Sequence, residues 1–404
     1  MKIAAVICEY NPFHNGHLHH INQTKVQTGA DFIIALMSGN YVQRGTPAIM
    51  DKHLRTRLAL SCGADLVIEL PLWFSTASAP YFAEGAIQLL NSLGIVDFLS
   101  FGSECDDIHL LQEVCSFLLS YKEELSSRAK TYHSLGHSYP KSRELALSDL
   151  QPNQRFAAVL KEPNNILAME YMMALAKTKS TIKPFCVHRI GGSHHETNLD
   201  PHISSASAIR THIESNDSLI TVLSQIPAIC HPILMDSFQK QFPITMDDFS
   251  TILKTKILSN PDLTDFWEIS PDFNDLTIKQ YTHEASCSEL IQRCKSKNIT
   301  WSRISRNFLH IMLGMTEEHR RLVLSHDFRL YFQILGFKKS ASVLISGINQ
   351  KHTIPMVRHC RPLKDSLLPY QSSLLSIERM ANQYYQLVLG EKYQVSYKEQ
   401  QIIV

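Results

Sequence analysis

The chain has 404 residues, 44% hydrophobic and 19% charged, which is the composition of an ordinary globular protein with room for two domains. No apolar run approaches the ~18 residues of a membrane span, and the first one ends in Cys8-Glu9-Tyr10 rather than a small-residue cleavage site, so no membrane partner and a cytoplasmic location are expected. The nine cysteines are dispersed without C-x-x-C pairs and read as reduced thiols.

The formal net charge of +1 says nothing about nucleic acid, but its distribution does. Residues 211–290 hold 4 Lys+Arg against 12 Asp+Glu, whereas residues 291–365 hold 14 against 4. A basic block of this kind is either a solvated helical surface or a face for a polyanion.

Residues 2–8 contain the unbroken apolar run Ile3–Ile7 and predict a buried strand. A loop follows, and His17 to Lys25 predicts the start of a helix. Asp31–Met37 predicts a second strand, ended by Ser38-Gly39-Asn40, and Lys52–Ser61 a helix broken by Gly63. Leu66–Leu70 predicts a third strand, Tyr81–Leu93 a helix closed by Gly94, and Asp97–Phe101 a fourth strand. Residues 106–180 read as helical, and Pro184–Ile190 as a further strand. Ser204–Ser207 precedes a hydroxyl-capped helix start at Ala208-Ile209-Arg210. Strands alternating with helices imply an α/β domain with a parallel sheet and right-handed crossovers. Beyond about 215 helical periodicity dominates, as in Trp301–Leu313 and His319–Leu335. A boundary is expected between 212 and 230, giving an α/β unit over 1–215 and a mainly α-helical unit over 216–404.

Ligands of such sheets bind outside the carboxyl ends of the strands. The polar residues gather in those loops: Asn11 to His17, Ser38 to Arg44, and Gly102 to Glu104. The densest is His14-Asn15-Gly16-His17. Its histidine spacing is not that of a zinc site, and no cysteine pair completes one. It is then either a polar turn or a phosphate site. For the second reading, a strand, a glycine loop and a helix N-terminus aim amides and imidazoles at one point. No G-x-x-x-x-G-K-[ST] occurs, so a P-loop is not the nucleotide site.

Asn11-Pro-Phe-His-Asn-Gly-His17 resembles the H-x-G-H signature of the HIGH-type nucleotidyltransferase superfamily, which includes class I aminoacyl-tRNA synthetases. Ser204-Ser-Ala-Ser-Ala-Ile-Arg210 resembles the second signature of those enzymes, with Ser-Ala where Ser-Thr is usual. Cys8–His17, Ser38–Ala48, Phe101-Gly-Ser-Glu104, Pro163-Asn-Asn-Ile-Leu167 and the Ile-Arg stretch occur in that order. Together they resemble the bacterial tRNA(Met) cytidine acetate ligase family over most of residues 1–210. The likeness continues more weakly through Ser302–Arg306 and Leu335-Gly336-Phe337. Thr46 departs from the family pattern, which has an acidic residue there.

The resemblance implies a Rossmann-like HIGH-superfamily nucleotidyltransferase domain and a two-step reaction. ATP and acetate form acetyl-adenylate and pyrophosphate, and the acetyl group passes to N4 of the wobble cytidine of elongator tRNA(Met). ATP enters as a substrate with Mg²⁺ beside it, and no metal is expected on protein side chains. The ATP segment corresponds to Ile7, Cys8, Glu9, Tyr10, Asn11, Pro12, Phe13, His14, Asn15, Gly16, His17, Leu18, His19 and His20. Gly102, Asn164 and Arg189 complete the nucleotide site. His14 and His17 are the catalytic candidates, placed to steady charge on the α-phosphate. Asn164 also reads as a helix N-cap and Arg189 as a surface arginine. Arg44, Lys52, Ser207, Arg210, Arg303 and Arg306 are candidate phosphate or RNA contacts, the last two one helical turn apart; Arg44 and Lys52 suit pyrophosphate, acetate or RNA and equally a solvated surface. Two other readings stay open: a small-molecule adenylyltransferase of the same superfamily, and a non-catalytic RNA-binding protein.

Overall fold

In a computed structural model, all residues are described except 138, 152–153, 190–202, 216–217, 297–298, 359–360, 363–366 and 396–399. The described strands, in chain order, are β1 (Ile3–Cys8), β2 (Phe32–Ser38), β3 (Tyr41–Val42), β4 (Thr46–Pro47), β5 (Leu66–Leu70) and β6 (Phe98–Ser103). Then come β7 (Lys183–His188), β8 (Phe332–Phe337), β9 (Met356–Arg358), β10 (Arg361–Pro362) and β11 (Ile402–Ile403). One sheet runs in the order β10-β9-β8-β5-β2-β1-β6-β7, with β11 also beside β8. Its centre, β5-β2-β1-β6-β7, is parallel throughout.

Both faces of that centre are covered, which is why its strands are nearly continuous apolar runs. Alternate residues serve opposite sides. Ile3, Ala5, Ile34, Leu36, Leu66 and Ile68 join one core, with helices Ala79–Leu93 and Pro163–Lys177. Ala4, Val6, Ile33, Ala35, Met37 and Val67 join the other, with helix Lys52–Ser61. The chain moves from β1 outward to β2 and β5, then returns to place β6 on the other side of β1. The direction of winding therefore reverses between β1 and β6, and a crevice opens above their carboxyl ends.

Two expectations are corrected here. The apolar pattern over His319–Leu335 is not one helix: helix Glu317–Ser325 ends, and β8 follows. Asp327 and Phe328 both have positive φ, 50° and 58°, and break the helix between them. A short buried apolar run cannot be told from a helix by periodicity alone. The boundary at 215 is also crossed. β8 pairs antiparallel with β5, Leu66 opposite Phe337, so residues 216–404 add helices and also extend the first unit's sheet. No described helix is long and apolar enough to cross a membrane.

Candidate active site

β1 ends at Cys8 and leads into the histidine loop. Tyr10 adopts φ 47°, the Asn11–Pro12 peptide is cis, and Phe13 is fully buried as the anchor of the turn. The helix that follows is Asn15–Thr28, two residues earlier than expected, because His14 itself is the N-cap. Sequence rules look for Ser, Thr, Asp or Asn in that place. Here the imidazole does the same work. His14 Nδ1 accepts from Gly16 N at 3.1 Å, and His17 Nδ1 accepts from His14 N at 3.3 Å. Both acceptor roles put the ring proton on Nε2. The two rings lie 3.8 Å apart, and Tyr10 and Phe13 pack against His17.

Burial is the main force on these groups. It pushes His14 down to about 3, assisted by Arg189 and Arg210, and it pushes His17 well below the usual histidine range, assisted by His14. Both are neutral donors at pH 7. His20 is also held down, to about 4, chiefly by burial, and its Nε2 meets Ser100 Oγ at 2.9 Å. It ties the helix to β6.

The free amides expected at this helix N-terminus are already in use. Asn15 N donates to Gln225 O at 2.9 Å, Gly16 N to His14, and His17 N and Leu18 N to His14 O. The helix dipole remains, but the directional donors are side chains. Gly16 also has a different reason from ligand approach. A Cβ there would stand 2.9 Å from His14 Cε1, so glycine is what lets the ring cap the helix.

Two guanidiniums meet on the other signature, and a third lines the same cavity. Arg44 Nη1 donates to Ser207 Oγ at 3.0 Å, and Arg210 Nη2 reaches the same oxygen at 3.2 Å. Arg210 Nη1 also donates to Asn11 O at 2.6 Å, joining the signatures directly. Arg189 follows β7, its N–H bonded to Ser103 O at 2.9 Å. Burial lowers Arg189 and Arg210, and Arg44 lowers both further. An anion between these cations would relieve that repulsion. Asn164 is not an N-cap. The helix is Pro163–Lys177 with Glu162 at the cap, and Asn164 Nδ2 donates to Glu104.

These groups line one cavity of about 390 Å³, a size suited to a nucleotide. Of the expected residues, Ile7, Cys8, Glu9, Tyr10, Asn11, His14, Gly16, His17, His19 and His20 line it, as do Arg44, Gly102, Asn164, Arg189, Ser207 and Arg210. Pro12, Phe13, Asn15 and Leu18 are not part of its lining. Apolar lining comes from Phe82, Phe101, Leu167 and Tyr171.

Lys52, Arg303 and Arg306 are not in the lining. Lys52 is fully buried, and its Nζ lies 3.0 and 2.9 Å from the two oxygens of Glu69, so it is a structural cation and not a phosphate or RNA contact. Arg303 is exposed, whereas Arg306 is partly buried, with its backbone against Gly45. Two cations of the basic block are engaged within the fold. Arg320 is held by Glu317 and by Tyr81 Oη, and Lys338 pairs with Asp65.

Three further residues organise the site. Arg55 is fully buried and donates to Met50 O, Glu9 O, Ser38 O and Gly39 O, so it holds the loops after β1 and β2 together. Asn165 Oδ1 accepts from Ser103 Oγ at 2.7 Å and Glu104 N at 3.0 Å, which shapes the loop after β6. Its signal lay in the Pro163–Leu167 motif, beside Asn164. Gln225 bonds Asn15 and Ser204, and nothing in the sequence marks it.

A five-strand parallel core with a neutral histidine pair at its switch point, sharing a cavity with Arg44, Arg189 and the serine-rich second signature that ends in Arg210, defines a HIGH-type nucleotidyltransferase. Comparison with known proteins agrees. The family model for HIGH nucleotidyl transferases matches residues 1–401. The tRNA(Met) cytidine acetate ligase of Acetivibrio thermocellus is 36% identical over 95% of this chain and 94% of its own. That of Halothermothrix orenii is 37% identical over 90% and 88%. The apo crystal structure of Thermotoga maritima TmcAL superposes with a TM-score of 0.91 at 28% identity, covering 100% of both chains. A crystal structure of the same protein bound with alpha-thio ATP gives 0.87 at 29%, again over 100% of both. The chain belongs to the HIGH nucleotidyl transferase family and, within it, to the tRNA(Met) cytidine acetate ligases.

Proposed function

We propose that this protein is an ATP-dependent acetate ligase acting on elongator tRNA(Met). It activates acetate as acetyl-adenylate and transfers the acetyl group to N4 of the wobble cytidine, giving N4-acetylcytidine. The observation that carries the reading is the pairing, in one cavity, of two Nε2–H imidazoles with Arg44, Arg189 and Arg210.

In the first step an acetate oxygen attacks the α-phosphorus. The bond from that phosphorus to the oxygen bridging to the β-phosphorus breaks, and pyrophosphate leaves with the electron pair. Negative charge grows on the α-phosphoryl and bridging oxygens. His14 and His17 meet it as neutral donors whose geometry is set before the substrate arrives, which is the arrangement that favours a transition state over a ground state. The arginines take the remaining phosphate charge. In the second step cytidine N4 attacks the acetyl carbonyl carbon, AMP leaves with the electrons of the broken C–O bond, and N4 loses a proton to water.

Mg²⁺ arriving with ATP would neutralise phosphate charge and be held by phosphate oxygens. Glu9 is the one carboxylate in the described lining, and among the described residues no group of three or more His, Cys, Asp or Glu side chains could hold a metal ion. Arg303, exposed on helix Trp301–Leu313, is the candidate for tRNA phosphate contact. A cytoplasmic location follows from the tRNA substrate.

The test incubates the protein with labelled acetate, ATP, Mg²⁺ and total bacterial tRNA. Label on elongator tRNA(Met) that requires ATP supports the reading. Label transfer from acetyl-CoA without ATP overturns the ligase mechanism, and ATP–pyrophosphate exchange that acetate does not support but another small-molecule acceptor does points to a small-molecule adenylyltransferase.

A further inference from the structure

Gln225 is buried, 3% exposed, and follows the short helix Ile220–Leu223. It lies more than two hundred residues from the histidine loop, yet its backbone carbonyl accepts from Asn15 N at 2.9 Å, the first helical amide after His14. Its side-chain Oε1 accepts from Ser204 N at 2.7 Å, at the opening of the second signature. The preceding Ser224 O accepts from Asn15 Nδ2 at 2.9 Å. One residue thus grips the histidine loop with its backbone and the serine segment with its side chain. A second tie, Arg210 Nη1 to Asn11 O, joins the same two segments.

Both segments line the nucleotide cavity, and a bound triphosphate has to be met by both at once. We propose that Gln225 is a positioning residue for nucleotide activation: it sets the spacing between His14 and His17 on one segment and Ser207 and Arg210 on the other. The inference rests on the nucleotide-activating reading above and adds a residue to it. A hydrogen bond from a buried amide, held by a side chain of fixed length, makes the spacing discrete. Asn at this position is one methylene too short to reach Ser204 N.

The experiment compares Gln225→Ala and Gln225→Asn with the wild type in two assays. Binding of a non-hydrolysable ATP analogue, by calorimetry, is expected to weaken about threefold in both variants. Acetate-dependent ATP–pyrophosphate exchange is expected to lose about tenfold in kcat in both. Wild-type affinity in the folded Ala or Asn variant overturns the proposal. A purely structural role would lower melting temperature and leave the affinity of the folded fraction unchanged. Should the Ala variant not fold, the Asn variant carries the same expectations. A wild type that binds the analogue but shows no acetate-dependent exchange would refute the ligase reading, while the binding assay would still decide the role of Gln225.

Discussion

Replacing Gly16 by alanine separates the fold from the chemistry. The backbone of Gly16 is ordinary helix, so alanine meets no conformational penalty there. Its methyl group would stand 2.9 Å from His14 Cε1, 3.1 Å from Nδ1 and 3.3 Å from Ile203 Cγ2. The ring is pinned by its own cap bond and must retreat by about half an ångström to reach ordinary contact distance. The cap bond would weaken, a loss of about 1 kcal/mol, while alanine gains about 1 kcal/mol of helix propensity over glycine. Net stability should therefore change by less than about 1 kcal/mol, and the melting temperature by no more than about 2 °C. Catalysis should not escape so lightly. A misplacement of about 1 Å costs on the order of a hundredfold, so half of that predicts a loss of at least about tenfold in acetate-dependent ATP–pyrophosphate exchange. The assay pairs that exchange rate with thermal melting followed by circular dichroism. Wild-type kcat/KM in Gly16→Ala would refute the idea that the His14 ring position matters. A loss that merely tracked the unfolded fraction would refute the separation from folding.

Other outcomes follow from the same geometry. A Cβ at Gly102 has no atom within 4 Å, so Gly102→Leu should fill cavity space without disturbing packing. It should raise the KM for ATP by about tenfold with a melting shift under about 1 °C; an unchanged KM would place the nucleotide elsewhere. His14 and His20 titrate near 3 and 4 in the fold but near 6.5 when unfolded, so the unfolded chain takes up protons first and stability falls as pH drops below about 6.5. At pH 5 each histidine costs roughly 2 kcal/mol, and His14→Asn should flatten the melting curve against pH; parallel curves would contradict it. Lys52→Ala leaves Glu69 buried without its cation and should cost about 3–5 kcal/mol in denaturant unfolding, with Lys52→Met/Glu69→Leu recovering most of it. A Lys52→Ala protein of wild-type stability that fails only in tRNA binding would restore Lys52 to the surface role expected from its charge.

The state of the histidines shapes how this site can work. In water a pair of imidazoles 3.8 Å apart would share protons near neutral pH. In this protein burial holds both rings neutral, with Arg189 and Arg210 adding to it at His14 and His14 adding to it at His17, so under the proposed function a triphosphate would meet fixed donors and not mobile charge. The positive charge is carried instead by Arg44, Arg189 and Arg210, in the same cavity. The division lets orientation and charge be tuned separately, and Ser207, bonded to two of the arginines, sits where they meet.

Much of this was legible in the chain itself. The first five apolar runs of the sheet, the helices between them and the polar loops at their ends depend on local pattern. Burial on both faces demands continuous hydrophobic strands, and crossovers demand helices of fitting length. The histidine loop and the Ser204–Arg210 segment were visible for the same reason, as short motifs beside predictable elements. Tertiary structure decided what depends on partners distant in sequence. Lys52 has the look of a surface cation until Glu69 meets it in the core. Phe332–Leu335 reads as the end of a helix until β5 offers it an edge. Gln225 carries no motif at all, and its meaning lies in two hydrogen bonds to segments far away in the chain. Spacing along a sequence specifies which face a residue occupies, but a buried polar or charged side chain takes its role from the group it meets, and only the folded chain brings the two together.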